Sequence, residues 1–209
     1  MRPRPAIIVV AAGRASRYRG LQHKLLEGLG PTSVLGMTLR HVLMTRLPLV
    51  VVTTAALSEQ VARIVALRDV VIVPDASAPD AAAQGLGMGY SIGAGVAARG
   101  DAGGWLVLPA DMPFVRPQTM LAVSAALAEH PVAYPQFQGQ KGHPVGFSAE
   151  LYSELVALRG DDGAKRVVAR FPAHAVPVDD AGVLFDVDTE DDLRRARSGL
   201  NAAGELRGP

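Results

Sequence analysis

The sequence predicts an α/β fold: a mostly parallel sheet with helices on both faces. Short apolar runs, Ile7 to Val10, Leu49 to Val52, Val70 to Val73 and Trp105 to Leu108, alternate with amphipathic stretches of about ten residues. The runs are rich in β-branched side chains and lack polar alternation, as strands buried on both faces do. Ala11-Ala12-Gly13 and Asp111 each stand just past the carboxyl end of such a run. Open α/β sheets gather their ligands at that edge.

At 209 residues the chain is long enough for one sizeable core, and a single domain is expected over residues 1–198. Residues 199–209 are rich in small residues and are expected to form a disordered tail. With 49% hydrophobic and 20% charged residues, the composition is that of an ordinary globular protein. A net charge of +1, with the basic residues spread along the chain, gives no reason to expect a nucleic-acid partner. The absence of cysteine excludes disulfides, thiolate metal sites, iron–sulfur clusters and a cysteine nucleophile. Residues 6 to 12 are too short for a secretion signal, and no apolar run reaches membrane-spanning length, so no membrane partner and a cytoplasmic location are expected.

The first strand, Ile7 to Val10, stops at Ala11-Ala12-Gly13, where small side chains let a ligand approach the backbone. The loop beyond carries Arg14, Arg17, Arg19 and then Lys24. Backbone N–H groups beside flexible cations suit a triphosphate. The loop is not a Walker A, because no Gly-Lys-Ser/Thr triplet follows Gly13 at the required distance. Nor is it a dinucleotide fingerprint, since Ala15 and Tyr18 stand where glycines are needed and Leu49 to Val52 runs into Thr53-Thr54 rather than an acid.

A turn at Gly28 to Pro31 precedes a helix over Val34 to Leu47, with Leu35, Leu39, Val42, Leu43 and Leu47 on one side. Pro48 stops it before the second strand. Ser58 to Leu67 is expected as a helix and Val70 to Val73 as the third strand, followed by a loop over residues 74 to 84. Gly85 to Gly95 contains Gly85, Gly87, Gly89, Gly93 and Gly95, a poor composition for a helix. Either a ligand approaches the backbone there, or a helix packs tightly on the sheet through small residues.

Trp105 to Leu108 forms the next buried strand, and Asp111 beyond it faces the same crevice as Gly13. A carboxylate opposite a basic phosphate loop is where a magnesium ion would be held. Residues 117 to 129 are expected as a helix with Met120, Leu121, Val123 and Leu127 inward, and Pro131 to Tyr134 as a strand. Gln136 to Phe147 has the pattern of a hairpin centred on Gly139. Ser148 caps a helix to Leu158, and Arg159 to Arg166 opens another, where Asp161 and Asp162 are accounted for as ordinary helix-start acids. Thr189 with Asp192 forms a capping box for a helix to Arg197. The cap leaves Asp186 and Asp188 unexplained; two apart in an extended segment, they share a face, and either could reach the crevice.

Several of these motifs, in this order, resemble the MobA-like nucleotidyltransferases that attach CMP or GMP to molybdopterin, and most closely the molybdopterin cytidylyltransferases. The shared stretches are Ala11-Ala12-Gly13 with Arg17, Gly20 and Lys24; Gly87-Met88 with Ser91 and Gly95; Asp111-Met112-Pro113; Gly142-His143-Pro144-Val145; Gly160-Asp161-Asp162-Gly163-Ala164; and Asp186-Val187-Asp188-Thr189. The chain departs from the family pattern by a longer stretch between Arg17 and Lys24, by Ala110 in place of Gly, and by Lys141 and Lys165 in place of Arg.

The resemblance implies a three-layer Rossmann-like fold of the nucleotide-diphospho-sugar transferase (GT-A-like) type. It implies a nucleotide site at Ala11, Ala12, Gly13, Arg14, Arg17, Lys24, Gly87, Met88 and Ser91, with Arg17, Lys24 and Asp111 catalytic. His143, Pro144, Asp161 and Gly163 would meet the acceptor, and Asp111 with Asp188 would hold Mg2+ or Mn2+. The expected partners are a nucleoside triphosphate, molybdopterin and a molybdoenzyme recipient. Ala12, where Gly is the alternative, together with the Gly-His-Pro-Val stretch favours CTP. The alternatives are a GTP-using guanylyltransferase, a transferase for another phosphorylated substrate, and a non-catalytic delivery protein. Two retained carboxylates and Lys24 argue against the last, which has no need of them.

Overall fold

Successive residues of the first strand bury on opposite faces of the sheet. Ile7 and Val9 join one apolar cluster with Leu49, Val51, Leu106 and Leu108, while Ile8 and Val10 join another with Val50, Val52, Trp105 and Val107. That division is the period of two of a strand covered on both sides. The computed structural model describes residues 3–13, 18 and 22–200.

The strands are β1 (Ala6–Ala11), β2 (Gly28–Leu29), β3 (Thr32–Ser33), β4 (Leu49–Thr53), β5 (Val70–Ile72), β6 (Gly104–Pro109), β7 (Val132–Phe137), β8 (Gln140–Lys141), β9 (Val145–Ser148) and β10 (Ala173–Pro177). The α-helices are α1 (Val34–Met44), α2 (Ala55–Ala62), α3 (Met88–Ala97), α4 (Pro117–Ala126), α5 (Tyr152–Val156), α6 (Lys165–Arg170) and α7 (Glu190–Gly199). An eight-stranded sheet runs in the order β10-β7-β9-β6-β1-β4-β5, with β8 also paired to β7. The pairs β1–β4, β1–β6, β4–β5 and β7–β10 are parallel. Strand β9 is antiparallel to both β6 and β7. Side chains of α1, α2, α4 and α7 fill the core on one face, and those of α3, α5 and α6 the core on the other. The result is the mostly parallel, doubly covered α/β sheet that the sequence predicts. Among the described residues, no helix is long and apolar enough to cross a membrane.

Several boundaries differ from expectation. Helix α1 stops at Met44 because the Thr45 hydroxyl bonds the Val42 carbonyl at 2.7 Å and Arg46 turns to a φ of 56°. Helix α2 begins at Ala55, earlier than expected, and ends at Ala62. The stretch expected to be a helix from Arg159 becomes one only at Lys165, because Gly160 and Gly163 take φ of 71° and 58°. Strand β10 had no apolar signature; it lies at the sheet edge, half exposed, and ends in Pro177, as an edge strand can. The hairpin closes through Gln138 and Gly139, both at positive φ (47° and 79°), as a two-residue turn requires.

The glycine-rich segment is a helix, α3, from Met88. A Cβ on Gly95 would lie 2.4 Å from Ile8 Cγ2 and 2.8 Å from Val52 Cγ2; one on Gly89 would lie 2.8 Å from the Arg159 carbonyl oxygen. These two glycines let the helix lie close to the sheet and to the Arg159 segment; they face protein rather than ligand. Residues 199 and 200 are the helix end and a side chain packed on the core, and residues 201–209 of the expected tail lie outside the described residues.

Candidate active site

At the end of β1, Ala11 and Ala12 are buried, while Gly13 is exposed with nothing within 4 Å of the place a Cβ would take. With no side chain there, the backbone is open to whatever occupies the crevice. The end of neighbouring β6 is held against it: the Ala110 amide donates to the Val10 carbonyl at 3.0 Å. The Thr38 hydroxyl of α1 donates to the Ala110 carbonyl at 2.8 Å, and the Val187 amide to the Asp111 carbonyl at 2.9 Å. These bonds around Asp111 come from segments distant in sequence.

Asp188 is fixed by the start of α7. The Asp192 carboxylate accepts from the Asp188 amide at 3.2 Å, the Thr189 amide at 2.8 Å and the Thr189 hydroxyl at 2.7 Å. Burial would raise the Asp192 pKa, but these bonds and Arg195 outweigh it and hold it below the ordinary range. The capping box thus orients a predicted site residue as well as a helix.

Lys24 opens a 3-10 turn, Lys24–Leu26, in which His23 Nδ1 accepts from the Leu25 amide at 3.3 Å. Its ammonium donates to Asp111 Oδ2 at 2.5 Å and to Asp188 Oδ1 at 2.7 Å, and the residue is only 8% exposed. Burial by itself would lower the Lys24 pKa; the charges and hydrogen bonds of Asp111 and Asp188 outweigh it and raise it. Lys24 is therefore a permanent cation. Asp111 Oδ1 is buried and has no hydrogen-bond partner. Asp186 is pushed up to about 6 by burial, by a hydrogen bond with Asp188, and by the Asp188 and Asp111 charges.

His143 lies near this group. Its amide donates to the Val183 carbonyl at 3.0 Å, and its Nδ1 is buried without a partner. Burial lowers its pKa, with the Asp111 charge and a bond to the Val107 backbone opposing and the Lys141 charge assisting. The ring is thus neutral near pH 7. Pro144 beside it is buried.

The other predicted residues form a second patch. The Gly89 amide donates to the Gly160 carbonyl and the Gly160 amide to the Gly85 carbonyl, each at 2.8 Å. A Cβ on Gly87 would meet Asp161 Oδ1 at 2.4 Å, and one on Gly163 would meet Met88 Cγ at 3.1 Å. Gly87 and Met88, predicted at the nucleotide, therefore pack directly on Asp161 and Gly163, predicted at the acceptor. Ser91 is buried, and its hydroxyl donates to the Gly87 carbonyl at 3.1 Å, steadying the turn before α3 rather than facing outward. Arg14 and Arg17 lie outside the described residues.

Two carboxylates gathered on one cation, with a third oxygen buried and unpartnered, form a hard oxygen donor set that fits a divalent ion such as Mg2+ or Mn2+. Among the described residues no group of three or more acidic or histidine side chains converges on a metal position. Further ligands would come from water and phosphate oxygens, as is usual for Mg2+ at nucleotide sites. Thr38, Val187 and Asp192, which hold the carboxylates in place, carry no motif that marks such a role; only Asp192 could be anticipated, and as a cap.

The MobA-like NTP transferase domain family matches residues 7–176. The purine catabolism protein PucB of Bacillus subtilis (strain 168) is 34% identical over 120 residues, 54% of this chain and 58% of PucB, so the chain spans little more than half of that curated relative. The crystal structure of Rv0371c from Mycobacterium tuberculosis H37Rv superposes with a TM-score of 0.78 at 28% identity, covering 93% of this chain and 98% of that one. Its manganese complex gives a TM-score of 0.74 at 28% identity, with the same coverage of both chains. Together with the sheet and its crevice, the match over residues 7–176 shows that the chain belongs to the MobA-like NTP transferase domain family.

Proposed function

We propose that the protein transfers CMP from CTP to the phosphate of molybdopterin and releases pyrophosphate, using a single domain over residues 1–198. The observation that carries this reading is Lys24 held between Asp111 and Asp188 at the strand ends beside the open backbone of Gly13.

In this reading the backbone around Gly13 receives triphosphate oxygens, with Ala11, Ala12 and Arg14 completing the loop. Gly87 and Met88 shape the base and ribose side, with Ser91 steadying the turn that presents them. The acceptor phosphate, already largely ionised near neutral pH, attacks the α-phosphorus as the bond to the β-phosphate oxygen breaks, so no general base is required. Arg17 and Lys24 stabilise charge on the departing pyrophosphate. Asp111 and Asp188 would hold Mg2+ or Mn2+, which when bound neutralises charge on the reacting phosphates. The manganese complex of Rv0371c supports a divalent ion in this fold. His143 and Pro144, together with Asp161 and Gly163, are assigned to the pterin acceptor. The finished cofactor would pass to a molybdoenzyme, and the name of the PucB relative favours a recipient active on purines.

Ala12 carries the choice of CTP. It is 8% exposed, and its methyl group reduces the space that a glycine would leave for a base. Pyrophosphate release, measured with each of the four nucleoside triphosphates, Mg2+ and molybdopterin, tests the assignment. Fastest release with CTP supports it, fastest release with GTP replaces it with a guanylyltransferase, and none with any nucleotide leaves a delivery protein.

A further inference from the structure

We infer that Lys24 is a resident place-holder for the divalent cation, so that metal binds the carboxylate pair more tightly together with a triphosphate that takes the ammonium in exchange. The inference rests on the metal-dependent transfer proposed above.

Asp111 and Asp188 belong to separate segments, one after β6 and one before α7, yet both point at a single ammonium, with Oδ2 and Oδ1 at 2.5 and 2.7 Å. Lys24 is one of the few charged side chains with almost no exposure, and it is the shared partner that compensates both carboxylates. A Mg2+ ion held by one oxygen of each carboxylate, at about 2.0–2.1 Å, would take the position between them that the ammonium now fills. The two cations are therefore alternatives. Lysine is a compact point charge on a flexible stem, able to leave one anion for another within reach. The triphosphate is such an anion, and it approaches from the neighbouring strand end at Gly13, where the backbone is open. Once the ammonium has moved to phosphate, Oδ2 of Asp111 is released beside its unpartnered Oδ1, and the pair can receive the ion.

The consequence is a reciprocal coupling between metal and nucleotide that runs through one side chain. Metal alone competes with Lys24, whereas metal with nucleotide does not. The exchange also keeps two part-buried carboxylates compensated at every stage.

Mn2+ binding followed by electron paramagnetic resonance tests this on wild type, Lys24→Met and Lys24→Gln, each with and without a non-hydrolysable α,β-methylene analogue of CTP. In wild type the analogue should tighten Mn2+ binding by at least about tenfold, within the usual range for coupled sites. Both variants should bind Mn2+ alone at least about tenfold tighter than wild type does, and the analogue should add little. Thermal melting gives a second readout: Mn2+ alone should raise the midpoint of either variant and leave that of wild type nearly unchanged. If every form binds Mn2+ with the analogue, but wild type and variants bind metal alone equally well, the place-holder role is wrong and the metal site stands. If no form binds Mn2+ even with the analogue, the metal reading fails and this inference fails with it.

Discussion

The Val187 amide donates to the Asp111 carbonyl at 2.9 Å, which ties the segment carrying Asp188 to the strand end carrying Asp111. Because backbone makes this bond, the two segments should stay joined when the Asp111 side chain is changed. Asp111→Asn is expected to keep the fold and lower turnover by about a hundredfold or more, the scale of losing one charge-stabilising group. Circular dichroism with a pyrophosphate-release assay checks both halves; near-normal release would remove Asp111 from the reaction.

The glycines divide into two kinds. Gly95→Ala places a methyl 2.4 Å from Ile8 Cγ2 and 2.8 Å from Val52 Cγ2, both on central strands. The overpacking costs about 1–3 kcal/mol, against a gain of about 1 kcal/mol in helix propensity. The melting midpoint should fall by roughly 2–4 °C for each kcal/mol of net loss. Gly13→Ala meets nothing within 4 Å, so its midpoint should stay at the wild-type value. Triphosphate binding should nevertheless weaken if the loop backbone meets phosphate. A Gly13→Ala protein with normal nucleotide affinity would argue against the cradle.

His143 gives the fold an acid sensitivity. Burial holds its folded pKa below the ordinary value of about 6.5, so above that pH the ring is neutral in both folded and unfolded chains. As pH falls from about 6.5 towards the lower folded value, the unfolded chain binds more protons, and stability is lost over that window. His143→Gln should flatten this part of the profile. Urea midpoints of both proteins at several pH values between 7.5 and 5 test it; parallel profiles would show that His143 is not responsible.

Base choice is expected to follow the space near Ala12. A pocket of this kind discriminates by about one to two orders of magnitude per methylene-sized difference. Ala12→Gly should therefore relax a preference for CTP over GTP without reversing it, because Gly87 to Ser91 still shape the site. Initial rates with both nucleotides, for both proteins, decide this.

The sheet was legible because Ile7 to Val10, Leu49 to Val52 and Trp105 to Leu108 are apolar at every position, a pattern that only burial on both faces explains. Lys24, Asp111 and Asp188 were singled out as separate motifs, but their convergence on one ammonium was not, since residues 24, 111 and 188 meet only through tertiary structure. The segment from Gly85 to Gly95 left two explanations open, ligand approach or close packing, and the neighbours of Gly89 and Gly95 decide for packing there. Strand β10 leaves no signal in the sequence because a half-exposed edge strand has no continuous apolar run. Thr38 and Val187 act through bonds across the fold, to which neither residue type nor spacing gives a clue.

The most direct test is the mass of the acceptor after molybdopterin has been incubated with the protein, Mg2+ and equal concentrations of CTP and GTP. The expected product is molybdopterin carrying one CMP, formed mole for mole with pyrophosphate and at a rate lower by about a hundredfold or more when Asp111→Asn replaces the wild-type protein. Unmodified molybdopterin, or an acceptor carrying GMP alone, would contradict the assignment.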